Sequence, residues 1–212
     1  MSLFTLSSLI FRTFADHFFK TKTVSTFTLV ILILALSTEA FSGIYLNGFL
    51  REKETRLPHK LLVIASLALV NAAMAALGFF TGSYIGTLLG EFTYFISLGL
   101  LFVLGLKLIS RSFKSKFREM TWELHQPKIL LGFSVAVGIN AFLLGMALPV
   151  FQPGFSNLLF SFVLVFVVSV SLALIFGARS QRFLLASRIV FSGGLIIVGC
   201  AVYYILRNFN FI

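Results

Sequence analysis

The sequence predicts an all-α, polytopic membrane protein of six transmembrane helices, arranged as two inverted three-helix repeats. Three observations carry this reading. Of the 212 residues, 58% are hydrophobic and 11% charged, with a mean hydropathy of +1.02, whereas a soluble domain carries about 25% charged residues. Lys and Arg separate uncharged runs that approach or exceed the roughly 20 residues needed to cross a bilayer core. A pattern also recurs about one hundred residues apart. Ala35 to Phe41 (ALSTEAF) overlies Ala136 to Phe142 (AVGINAF), with Ala, Ala and Phe identical and the polar residue, Glu39 or Asn140, at the same place.

Composition excludes several function classes. The formal charge of +10 sits between apolar runs, where basic residues set topology and meet lipid head groups, so no nucleic-acid partner is expected. Cys200 is the single cysteine and lies inside the last apolar run, which rules out a disulfide framework or thiolate metal cluster. His17, His59 and His125 show no ligand spacing. No nucleophile and base are suitably spaced, and no phosphate loop is present, so the chain is not read as an enzyme and no cofactor is expected.

Taken in order, residues 1–26 read as an N-terminal interfacial extension, too interrupted by Arg12, Asp16 and His17 to span. Helix one is expected over Phe27 to Phe49, followed by a basic turn from Arg51 to Lys60. The uncharged run Leu61 to Gly90 is too long for one ordinary span. Gly78, Gly82, Gly86 and Gly90 punctuate it, so helix two is expected to end near Phe80 and helix three to run from about Ile85 to Ile109. Glu91 then lies near one end of helix three, and Lys107 snorkels at the other. Residues 111–128 read as a cytoplasmic loop with Trp122 as an interfacial anchor. Pro149 and Gln152-Pro153-Gly154 divide the next uncharged stretch into helices over Ile129 to Leu148 and Phe155 to Gly177. Arg179, Arg182 and Arg188 form a connection, and Ile189 to Leu206 is the sixth span.

The segments after helices one, three and five share one side and, with Lys107 at the end of helix three, hold thirteen Lys and Arg, against four on the other side. By the positive-inside rule both termini lie outside the cytoplasm, although Arg12, Lys20 and Lys22 locally favour the reverse. Three helices per copy means that the copies enter from opposite sides. Residues 27–110 (repeat 1) and 129–212 (repeat 2) would then be related by a pseudo-two-fold in the membrane plane, with a site where they meet.

Glu39 is the centre of that site. A carboxylate inside a membrane helix costs roughly 2.5 to 3.5 kcal/mol on insertion scales, so it faces a partner or a wet cavity. It reads as a cation ligand or proton carrier, with a protonated, hydrogen-bonded acid as the structural alternative. Asn140 reads as its symmetry-related partner or as packing glue between helices. Ser42 and Asn71 are candidate auxiliary oxygens. The candidate metal ligands are thus Glu39, Asn140, Asn71 and Ser42.

The runs ALSTEAF (35–41), GLLFVLGLKLI (99–109), AVGINAFLLGMAL (136–148) and FSGGLIIVG (191–199), in this order over about residues 27–206, resemble the MntP-like manganese efflux pump family. The resemblance implies a six-helix, multi-pass exporter of the cytoplasmic (inner) membrane that moves a divalent metal cation, most expectedly manganese. It also marks departures. Glu39 stands where the family carries Asp in helix one, Asn140 replaces the helix-four Asp, Asn71 a helix-two Glu, and Thr93-Tyr94 an acid-His pair. Amides keep oxygen donors but remove negative charge. Two alternatives remain: a transporter of a monovalent cation or small solute on the same fold, and a non-transporting membrane scaffold.

Overall fold

The computed structural model describes residues 26–47, 57–90, 92–113, 126–151, 154–177 and 183–208. Six helices fill them: α1 (Thr26–Asn47), α2 (Leu57–Leu89), α3 (Phe92–Phe113), α4 (Pro127–Ala147), α5 (Phe155–Gly177) and α6 (Phe183–Asn208), with a 3₁₀ turn over Leu148–Phe151. All six are long and apolar enough to cross a membrane. The expected interfacial extension, Trp122, Glu91, His17 and His125 lie outside the described residues.

The helix boundaries correct the sequence reading in three places. First, α2 does not stop near Phe80 but continues to Leu89 over 33 residues, about 50 Å at 1.5 Å per residue. That exceeds a hydrocarbon core of about 30 Å, so α2 must tilt or project. Its glycines are a contact surface. A Cβ on Gly78 would strike the Phe142 carbonyl and one on Gly82 the Met146 carbonyl, so these residues let α4 approach backbone to backbone. The chain turns at Gly90, whose φ of +54° favours glycine. The turn is closed by Gly90 N–H donating to Gly86 O at 3.1 Å and Thr93 N–H to Gly90 O at 3.2 Å.

Second, α3 extends to Phe113, so Arg111 is helical and does not open the aqueous loop. Third, α6 begins at Phe183 and includes Arg188, which is exposed. Pro127 occupies the first turn of α4, where its fixed φ suits helix entry and its missing N–H costs nothing.

Helix directions follow from paired contacts. Ser66 meets Ser134 at 3.1 Å and Gly82 abuts Met146 further along, so α2 and α4 run parallel. Ser37 bonds Ser169 at 2.8 Å and Gly177 packs on the Tyr45 backbone, so α1 and α5 also run parallel. Tyr94 Oη donates to Tyr204 O at 3.0 Å and Ser187 Oγ to Ser112 O at 2.7 Å, which makes α3 and α6 antiparallel. The remaining substantial pairings are α1 with α6, α2 with α5 and α3 with α4. Exchanging the first three helices for the last three leaves this set of pairings unchanged.

The core lies around α1, which buries Leu32, Ile33, Ala35, Leu36, Ala40 and Ile44. Burying residues on all sides of a helix is what a central position requires. Outward, Leu69, Leu77, Phe102, Leu106, Phe160 and Ile175 are exposed, as expected of side chains whose solvent is lipid.

Candidate functional site

The site forms where α1 crosses α4. The two helices touch over a short length, made possible by Gly43, whose missing side chain leaves room for the Phe133 ring. On the other flank, Gly193 of α6 lies directly against Ala35 O and the Thr38 side chain. Small residues on both sides therefore hold α1 tightly one turn before and one turn after Glu39.

Glu39 and Asn140 are each 1% exposed and meet at this crossing. Asn140 Nδ2 donates to Glu39 Oε2. The other carboxylate oxygen, Oε1, pairs with Arg111 Nη1. Lys107 Nζ donates to Asn140 Oδ1 at 2.6 Å. Lys107 and Arg111 are one turn apart on α3 and project side by side. Four residues from three helices thus form one chain of polar contacts, with hydrogen bonds from Lys107 to Asn140 and from Asn140 to Glu39 and an ion pair between Glu39 and Arg111. In a low-dielectric surround such charge-assisted bonds are about twice as strong as neutral ones.

Charge and depth define what the cluster can do. It contains one carboxylate and two cations, so its formal charge is positive when all three are ionised. Glu39 lies eight residues before the end of α1, about 12 Å along the axis, and Lys107 six residues before the end of α3, about 9 Å. Lys107 is exposed, and the Arg111 side chain is 28% exposed against 1% for Glu39. The basic side chains thus reach inward from the end of α3 to an enclosed acid.

The structure assembles two of the four expected ligands. Ser42 lies one turn beyond Glu39 on the same face, fully buried, and its Oγ has no hydrogen-bond partner. Asn71 is fully buried on α2, which packs on α4 and α5 and makes little contact with α1. Its Nδ2 donates to Leu67 O at 2.7 Å, while its Oδ1 has no partner. Neither residue bonds to the Glu39 cluster. Among the described residues no group of three or more His, Cys, Asp or Glu gathers in one place. Ser37, which brackets Glu39 in sequence, is committed to Leu34 O and Ser169 Oγ.

Sequence reasoning missed Lys107 and Arg111. One was read as snorkelling to an interface, the other as part of a loop. A signal existed: intramembrane charges pair with one another, and these are the two basic residues at helical spacing in the third apolar run. Tyr94, which the resemblance marks only as part of a pair replacing an acid and a His, is 4% exposed and ties α3 to the Tyr204 carbonyl. Tyr94 also helps line a cleft of about 320 Å³ with Ser83, Thr87, Thr93 and Pro149, at the end of the bundle where α2 turns into α3.

A family model described as "Putative manganese efflux pump" matches residues 54–205. Among curated proteins, this chain is 26% identical over 187 residues to the putative manganese efflux pump MntP of Ruminiclostridium cellulolyticum, covering 86% of this chain and 96% of that protein. It is 27% identical over 194 residues to the protein of the same name from Methanothermobacter thermautotrophicus, covering 87% and 97%. It is 25% identical over 181 residues to that of Photorhabdus laumondii, covering 82% and 91%. No solved structure matches the chain.

Proposed function

We propose that this chain, which belongs to the MntP family of manganese efflux pumps, exports a divalent metal cation, manganese, across the cytoplasmic membrane. The observation that carries this reading to particular residues is the buried carboxylate at the α1–α4 crossing, bonded to the amide of Asn140. Manganese is satisfied by carboxylate, carbonyl and water oxygens. Glu39 Oε1 and Oε2 and Asn140 Oδ1 are donors of that kind, held on two helices that can shift against each other.

Ser42 Oγ and Asn71 Oδ1 extend the donor set along a path. A buried acceptor with no partner costs about 1–3 kcal/mol, which a transient cation or its hydration water would offset. Residues 27–110 and 129–212 act in this reading as inverted repeats. Rocking of one repeat against the other opens the crossing to alternate sides. The parallel pairing of α1 with α5 and of α4 with α2 supports it. The topology with both termini outside follows from the basic segments beside helices one, three and five, and residues 111–128 then lie in the cytoplasm.

The test is export by the Glu39→Gln variant in a manganese-sensitive host. Loss of protection, with cellular manganese rising to the level found without the protein, is the expected result. Undiminished protection by a variant expressed at wild-type level would remove Glu39 from the pathway.

A further inference from the structure

Every oxygen that Glu39 and Asn140 offer is already bonded to a nitrogen of the same chain. Arg111 Nη1 takes Glu39 Oε1, Asn140 Nδ2 takes Glu39 Oε2, and Lys107 Nζ takes Asn140 Oδ1 at 2.6 Å. Two of these three nitrogens are cationic. A divalent ion joining the cluster unchanged would meet two positive charges and one negative in a surround that screens poorly, an arrangement electrostatics forbids. The site as it stands is therefore occupied, and the occupants are side chains of α3.

We propose that Lys107 and Arg111 form a tethered cationic plug: they fill the cation site of the crossing when cargo is absent, and cargo binds by displacing them. This rests on Glu39 and Asn140 being the cargo site. Geometry allows the exchange. Both side chains are long, both sit in the last two turns of α3, and both retain exposure that the carboxylate lacks. They can withdraw toward the membrane surface along their own stems. Withdrawal frees one carboxylate and, once the Asn140 amide turns, an amide oxygen. It also leaves the crossing with a single negative charge. The plug keeps Glu39 paired between transport events, which spares the protein an isolated buried carboxylate. It also sets a threshold, because weakly held cations cannot compete with a guanidinium already in place.

Purified protein in detergent, titrated with manganese chloride and followed by thermal stability, tests the idea. Arg111→Gln removes the competing charge, so the manganese concentration giving half-maximal stabilisation should fall about tenfold or more, while stability without metal falls. Arg111→Lys keeps the charge and should remain near the wild-type midpoint. Lys107→Gln should shift the midpoint in the same direction by a smaller factor, and it decides the matter if Arg111→Gln does not fold. A midpoint unchanged or raised in the folded glutamine variant overturns the plug. Glu39→Gln separates the two readings. If it abolishes the manganese response while Arg111→Gln leaves the midpoint unmoved, the plug alone fails; if the response survives Glu39→Gln, the cargo site fails and the plug falls with it.

Discussion

The first three helices and the last three pack through the same set of pairings, yet they bring different chemistry to the centre. Helices α1 to α3 supply Glu39, Lys107 and Arg111, while α4 to α6 supply Asn140 alone. The contrast is sharpest between α3 and α6, which run antiparallel and approach through Gly105 and Gly194, each set against the other's backbone. At that contact the two helices are interchangeable. Within the next two turns α3 carries two cations that reach the site, whereas the described charged side chain of α6, Arg188, is exposed. The shared feature is the small residue at the crossing, which either helix can supply because backbone approach requires only the absence of a side chain. Charge is not shared: the two cations gather in the half that carries the acid, since ionisable groups in lipid face one another or other polar groups.

The strongest way to break this comparison is to remove one member of the charged half. Arg111→Met leaves Glu39 buried without its ion-pair partner, which costs about 3–5 kcal/mol in enclosed sites; the 28% exposure of the Arg111 side chain and the remaining Asn140 bond place the expected loss at the lower end. Denaturant unfolding in mixed micelles measures it, and Glu39→Gln combined with Arg111→Met should recover most of the loss. Stability equal to wild type in the single variant would mean that the charged half contributes nothing beyond packing. The shared feature is tested next. Gly82→Ala puts a methyl against the Met146 carbonyl and should cost about 1–3 kcal/mol by overpacking. Gly99→Ala, which meets nothing within 4 Å, should be neutral or stabilising, since alanine is the better helix former. Equal effects at the two positions would remove close backbone approach as the reason for the glycines. The smallest expected effect is at the α1–α5 pair, where Ser169→Ala removes the 2.8 Å bond to Ser37. Hydroxyl bonds between membrane helices average about 0.6 kcal/mol, so a loss above about 2 kcal/mol would give that pair a role in the site that its uncharged character does not suggest.

Much of the fold was legible because lipid imposes a simple rule: about 20 uncharged residues must run together for each span. Helix α5 was read at its observed bounds, Phe155 to Gly177, because Pro153-Gly154 before it and Arg179 after it both stop an apolar helix. Helix α2 was misread for a related reason. Gly78 and Gly82 weaken a helix in isolation, but at four-residue spacing they share one face, and packing against α4 offsets their cost, while Gly86 faces Thr93 of α3. Only the neighbouring helix distinguishes a glycine break from a glycine seam. The site was half legible for the same reason. Glu39 and Asn140 were singled out because each interrupts an apolar run at the same place in a repeated pattern, and they do meet. Ser42, beside Glu39 in the chain, and Asn71, a polar break in an apolar helix, stand out without such a repeat, and both are left without a bond to the cluster.

By itself, then, the sequence determined the number of spans, the family resemblance and the identity of the one acid that has to be sheltered, since these depend on transfer of side chains into lipid and need no partner to be specified. Tertiary structure decided which groups shelter it. Arg111 and Lys107 stand more than sixty residues from Glu39 in the chain, and nothing local marks them as its counter-ions. They become so because α3 and α4 pack against each other and α4 crosses α1, which brings both helical cations within bonding distance of the crossing.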